Sequence, residues 1–311
     1  MMNKLKYLGM GLLLMAATTF TGCNEEDDLN PNSIFSEETT EKNEFDLWLL
    51  ENYVKPYNIS FQYRYFDKET DQNYNVIPAD FEKSKATAKL VQFLWLDVYN
   101  DLMDGDKTFI KTYTPRVIQL IGSYQYNSQG SIVMGTAEQG MKVMLFGINN
   151  IDLDVPYANV DDPYRSQWEK PFDLNANYFH TMHHEFCHVL TQTKDYPKDF
   201  QTISAGAYHA TDWVNVTDKQ AAKEGFVSGY ASGEYNEDFA ETFATYVTLS
   251  PAGWQKIINQ AGEEGAAIIN QKLDAVREYF SSTWNIDLDE LRSIIIRRSA
   301  EVENLDLRTL N

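Results

Sequence analysis

Apolar positions along this chain recur with two periods, and the two periods divide it into helices and strands. Over residues 41–55, Phe45, Leu47, Trp48, Leu49 and Tyr53 mark a helix. Over 59–66, Phe61, Tyr63 and Tyr65 alternate on one face of a strand. Residues 80–103 read as a long helix with Asp80 or Pro78 near its start. A strand is expected at 117–121. Residues 131–135 and 141–148 flank Glu138-Gln139-Gly140 and read as a hairpin. Further on, 178–191 reads as a helix. Phe239, Phe243, Tyr246 and Val247 give a second helix over 236–249. Beyond Pro251 the chain is helical, with Ile257, Ile258, Ile268, Ile269, Leu273, Val276, Tyr279 and Phe280 as core and a last helix over 291–302. The expected class is α+β, with a mixed sheet in the first part and a mainly helical second part.

The helix at 178–191 carries His184-Glu185-Phe186-Cys187-His188. Positions four apart share a helix face, so both histidines can reach one metal ion. Neutral imidazole is a preferred zinc ligand. Glu185, one residue round the helix, is displaced from that pair and can take a proton from a water beside the metal. A chance HExxH is the competing reading, in a chain with only five histidines. A third ligand would decide between them. A glycine and a third histidine three and six residues after His188 are missing, since Thr191 and Lys194 stand there. The alternative is a carboxylate on a second helix, and Asn236-Glu237-Asp238-Phe239-Ala240-Glu241 offers two, one turn apart on one face. One can ligate zinc while the other holds the outer nitrogen of a ligand histidine. Spacing permits either assignment. An acidic helix start favoured by the helix dipole is the plainer alternative.

These residues, together with Tyr230 seven positions before Glu237, resemble the gluzincin metallopeptidases, in particular the anthrax lethal factor type. The motif-bearing match covers about residues 178–249. The resemblance implies a zincin-like fold and peptidase activity. It implies zinc held by His184, His188 and Glu237, Glu185 as the base and Tyr230 as oxyanion donor. Glu241 is then the partner of His184. It also implies a cleft rim made by a strand near the motif helix, for which Lys142-Val143-Met144-Leu145-Phe146 is the candidate. Cys187 departs from the glycine usual in that family and is read as a packing residue. His180 and His183 are read as second-shell or packing residues, and His209 as a surface histidine with a ligand role as its alternative. The segment 195–233, rich in Gly, Asp and aromatic residues, is long enough to shape a substrate site.

Composition adds the setting. Lys4 and Lys6 precede a short apolar stretch over 9–20, too short for a membrane stop. Phe20-Thr21-Gly22-Cys23 resembles a bacterial lipoprotein processing site. Residues 1–22 are then a signal peptide, Cys23 the lipidated residue and 23–40 an acidic tether. Glu25, Glu26, Asp27 and Asp28 resemble surface-export signals of Bacteroidetes-type lipoproteins. The formal charge is −20, and removing 1–22 takes away two lysines and no acid, leaving −22. Such a field repels nucleic acid and excludes it as a partner.

The expected organisation is 1–22, 23–40 and a zincin-like domain over 41–311, with a lobe 41–193 bearing HExxH and a lobe 194–311 bearing the glutamate helix. The combination resembles zinc metallopeptidase lipoproteins associated with TonB-dependent import. That implies a peptide or protein substrate and an outer-membrane location at the cell surface, with the periplasmic face as the alternative. A non-catalytic binding lipoprotein and a hydrolase of cell-wall amide bonds are the competing readings; Glu185 argues against the first, because a structural zinc needs no base.

Overall fold

The first helix begins where a cap dictates. Asn43 and Asp46 each accept the other's backbone N–H, at 2.8 and 3.0 Å, and close a capping box. Helix α1 then runs through Glu44–Leu49, a π turn Leu50–Val54 and a last turn Lys55–Tyr57. Asn58, in the left-handed region at φ 58°, ends it and turns the chain into β1, Ser60–Gln62. The structure, a computed structural model, describes residues 41–65, 75–126, 132–133, 135–138, 142–166 and 168–310. Its compact unit is Asn43–Asn311.

β1 is shorter than the strand expected over 59–66. Phe61 and Tyr63 are both buried, as their alternation predicts. Past Gln62, however, the chain is drawn to the start of α1. Tyr63 donates to Asp46 Oδ1 at 3.0 Å, and Arg64 grips both Asp46 oxygens at 2.8 and 2.7 Å. Helix α2 consists of Phe81–Val91, a π turn Gln92–Leu96 and Asp97–Leu102. Asp80 caps it by accepting Lys83 N–H at 3.0 Å. A short helix α3 (Thr108–Tyr113) leads into β2 (Val117–Leu120).

Four strands follow: β3 (Gln125–Tyr126), β4 (Ile132–Val133), β5 (Gly135–Glu138) and β6 (Lys142–Leu145). The main sheet has the order β1-β2-β6-β5; only β5 runs antiparallel, pairing Glu138 with Lys142 and Gly135 with Leu145. The expected hairpin exists, but its first strand is Gly135–Glu138. Ile132 and Val133 pair instead with Tyr126 and Gln125. The expected rim strand is a second correction. β6 lies between β2 and β5, so its backbone is paired on both sides and cannot take another strand. Its run of buried Val143, Met144, Leu145 and Phe146 is the pattern of an interior strand. Among the described residues, the free edge next to it belongs to β5, which packs against the motif helix.

That helix, α4, is His180–Thr193, preceded by a π turn Asn175–Phe179. Phe186 anchors it, with Trp95, Tyr99 and Phe109 edge-on at 5.6, 4.9 and 6.0 Å. Beyond Lys194 every described element is helical. Helix α5 (Asp218–Lys223) starts at a Thr217/Gln220 capping box. Helix α6 (Tyr235–Thr248) is buried nearly all round, as a central helix must be. Phe239 stacks on Tyr196 at 4.1 Å and Phe243 on Phe280 at 4.3 Å. Helix α7 (Pro251–Trp284) starts at the Ser250 cap with proline in its first turn and kinks at Gly262 (φ 70°). It passes so close to α5 that a Cβ on Gly265 would lie 2.4 Å from the Ala222 carbonyl oxygen. Helix α8 (Leu288–Glu301) completes the bundle around α6.

Candidate metal centre

Packing of α6 against α4 brings the two sequence motifs together. His184 and His188 stand one turn apart with their Nε2 atoms 3.0 Å from each other. Glu237 Oε2 lies 2.9 Å from His184 Nε2 and 3.3 Å from His188 Nε2. Among the described residues, these three form the one group whose ligand atoms converge closely enough for an ion, within 4.8 Å of one another. Glu241, one turn after Glu237, faces the other nitrogen: His184 Nδ1 is 2.8 Å from Glu241 Oε1.

The proton positions follow from that contact. An ionised carboxylate only accepts, so the hydrogen of His184 sits on Nδ1 and donates to Glu241. The Nε2 lone pair then points at Glu237 Oε2 and at the Nε2 of His188. Three electron-rich atoms near 3 Å apart repel unless positive charge lies between them. A second proton, on Nε2, is one such charge: burial opposes it, but Glu237 and Glu241 outweigh burial and lift the ring to about 10. Burial would raise Glu237, yet its contacts to His184 and His188 carry it down to about 2. The cluster therefore stabilises a cation at its centre, and two imidazoles with one carboxylate are the donor set of a catalytic zinc site. The residues fit the metal.

The partners of Glu241 are more numerous than spacing indicated. His180 Nε2 is 2.9 Å from the same Oε1, and Ser228 donates to Oε2 at 2.6 Å. Three donors thus satisfy a carboxylate that is 6% exposed, where a lone buried charge would cost several kcal/mol. Burial opposes its charge, but His180 and His184 outweigh burial and hold it well below the usual carboxyl range. Ser228 Oγ also accepts Ala231 N–H at 3.1 Å, which fixes the turn that carries Tyr230. Sequence reasoning missed Ser228; its only local signal is its place two residues before Tyr230.

Tyr230 packs its ring 5.7 Å from that of His184 and 4.9 Å from Trp213. The residue is 40% exposed overall. Its hydroxyl is turned inward, and burial followed by the Glu237 charge pushes its pKa up, so it stays protonated. Glu185 is partly buried beside the same groups. Burial raises its carboxyl, the two imidazoles lower it, and the net shift is upward.

The remaining candidates fall elsewhere. His209 bonds Glu224 Oε2 at 2.7 Å and lies outside the metal group. His183 is fully buried with Nδ1 2.9 Å from the Tyr99 hydroxyl; burial lowers it to about 3 and keeps it neutral. Cys187 is fully buried, and burial pushes its thiol up, so it packs as a small apolar group. Cys23 lies outside the described residues.

The model of a family described as "Putative zinc-binding metallo-peptidase" matches residues 38–289. The chain belongs to that family. Zinc is accordingly the metal cofactor. A crystal structure of a "putative zinc-binding metallo-peptidase" from Bacteroides caccae ATCC 43185 is 40% identical. The match covers 90% of this chain and 100% of that one, with a TM-score of 0.70. No curated protein matches the chain. The family match spans both the HExxH helix α4 and the glutamate helix α6.

Proposed function

We propose that this chain is a gluzincin-type peptidase whose zinc is held by His184, His188 and Glu237. The observation that carries the reading is the convergence of two Nε2 atoms and Glu237 Oε2, 2.9–3.3 Å apart, with Glu185 beside them. Zinc bound there supplies a Lewis acid that polarises the scissile carbonyl and acidifies water. A Glu185 carboxylate oxygen takes the proton of the attacking water and passes it to the leaving nitrogen; its raised carboxyl suits that transfer. The Tyr230 hydroxyl donates to the developing oxyanion. Glu241 fixes the His184 ring and its tautomer. An extended substrate pairs with the free edge of β5, beside α4, in place of the fully paired β6.

Tyr230→Phe tests the donor role. Loss of one oxyanion donor costs ~10²–10³ in kcat. The variant is expected to show that loss with unchanged zinc content, measured by single-turnover hydrolysis and metal analysis. Unchanged turnover returns Tyr230 to a packing role.

The setting we propose is an outer-membrane lipoprotein facing the cell surface, anchored through Cys23 and carried on the 23–40 tether. It cleaves peptides or proteins there for TonB-dependent import. Support comes from Lys4, Lys6, the apolar stretch over 9–20 and Thr21-Gly22-Cys23. No helix of the described residues is long and apolar enough to cross a membrane. Mass spectrometry of protein from its native membrane is expected to find a mature chain beginning at a diacylated Cys23. A mature chain that begins elsewhere and carries no lipid contradicts the anchor.

A further inference from the structure

Tyr230 stands at the metal centre on a single turn of 3₁₀ helix, Tyr230–Ser232. One set of contacts docks that turn on the segment 209–218. Asp218 Oδ1 accepts Gly229 N–H at 2.8 Å, and His209 N–H donates to the Ser232 carbonyl at 2.7 Å. Gly229 runs so close to this segment that a Cβ on it would lie 2.1 Å from the Val216 carbonyl oxygen. Trp213 adds its ring against that of Tyr230. These contacts fix the shape of the turn. None of them reaches the ligand side chains on α4 and α6.

Ser228 supplies a tie in that direction. An amide N–H can only donate, so the Ser228 hydroxyl accepts Ala231 N–H at 3.1 Å. Its one hydrogen then goes to Glu241 Oε2, 2.6 Å away. Both functions of the hydroxyl are engaged, and its direction is set. The other oxygen of the same carboxylate, Oε1, takes His180 Nε2 at 2.9 Å and His184 Nδ1 at 2.8 Å. A continuous path thus runs from the Tyr230 turn through Ser228 and Glu241 to the His184 ring. Its two bonds to Glu241 end on a charged acceptor, which makes them the strong kind.

We propose that Ser228 is a positioning residue that sets the Tyr230 hydroxyl in register with the metal, by tying its turn to the carboxylate that orients His184. The proposal rests on the peptidase reading and on the part Tyr230 plays in it. Ser228 touches neither substrate nor metal, and it acts through Tyr230.

Two measurements on the full chain test it. The first is a cycle of variants on the zinc-loaded protein. Ser228→Ala is expected to lower kcat on a cleaved peptide by roughly tenfold with KM unchanged, since a misplacement of ~1 Å can cost ~10²-fold. In the Tyr230→Phe background the same substitution is expected to change kcat little, because the hydroxyl that Ser228 positions is already gone. Zinc affinity, read by competition with a chelator, is expected to fall far less than kcat, because both ring contacts to Oε1 remain. An equal kcat loss in the two backgrounds, or a zinc loss that matches the kcat loss, overturns the proposal. Ser228→Cys, which keeps the shape with a weak S–H donor, repeats the cycle if alanine disturbs the fold.

The second is amide hydrogen exchange over residues 229–233 with and without zinc, and it needs no substrate. Zinc is expected to slow exchange there by on the order of tenfold in wild type and in Tyr230→Phe, and hardly at all in Ser228→Ala. Slowing that persists in Ser228→Ala, or that is absent from wild type, overturns the link. If wild type cleaves no peptide, the peptidase reading fails, and exchange alone decides whether Ser228 ties the turn to the metal site.

Discussion

Glu185→Gln is expected to keep zinc at one ion per chain and to lose hydrolysis by ~10²–10⁴-fold. The substitution preserves shape and one acceptor oxygen but cannot carry a proton. The ligand atoms, two imidazole Nε2 and Glu237 Oε2, are untouched by it. Glu185 sits on α4 between the ligand histidines in sequence but outside the group of convergent atoms. Burial beside those groups raises its carboxyl. The check is metal analysis together with a peptide-library digest of wild type and variant. Loss of zinc makes Glu185 a ligand; retained hydrolysis of a verified substrate removes it from the mechanism.

The two glutamates of α6 should separate by zinc affinity. Glu237→Ala leaves zinc with two protein ligands, and the site is expected to be empty at ordinary zinc levels. Glu241→Ala keeps all three ligand atoms and removes the acceptor for His184 Nδ1, at a cost of roughly 10–100-fold in affinity or activity. Burial makes the second variant harsher than its distance from zinc indicates. His180, His184 and Ser228 all direct donors at Glu241 and would lose their acceptor together. Glu241→Gln retains one acceptor oxygen, which the two histidines share in Glu241, and should recover part of the affinity, so a fold defect can be told from a lost contact. Competition titration against a chelator measures all three. A larger loss in Glu241→Ala than in Glu237→Ala reverses the two roles.

Much of this centre is readable along the chain because it is built on helices. The helix expected at 178–191 is observed as His180–Thr193, and that expected at 236–249 as Tyr235–Thr248. On such elements spacing alone says which side chains share a face. Spacing also left Glu237 and Glu241 interchangeable, and only their opposite ring-nitrogen contacts distinguish them. The π turns Leu50–Val54, Gln92–Leu96 and Asn175–Phe179 were invisible, because one extra residue per turn shifts the apolar period too little to register. Strand placement failed for a different reason. Val143 to Phe146 is a continuous apolar run, which marks an interior strand, and its position in the sheet depends on partners far away in sequence. His180, read from its place one turn before His184 as a second-shell or packing residue, does reach Glu241. Ser228 is tertiary: it meets Glu241 from a separate segment, and no local pattern announces that contact.

Anomalous diffraction at the zinc edge, from crystals of the zinc-loaded chain, tests the central claim most directly. The account predicts one zinc bonded to His184 Nε2 and His188 Nε2 at ~2.0–2.1 Å and to a Glu237 oxygen at ~2.0–2.2 Å, with Glu185 beside its open position and Glu241 on the far side of His184. An anomalous peak elsewhere in the molecule, or zinc bonded to Glu241 in place of Glu237, would contradict it.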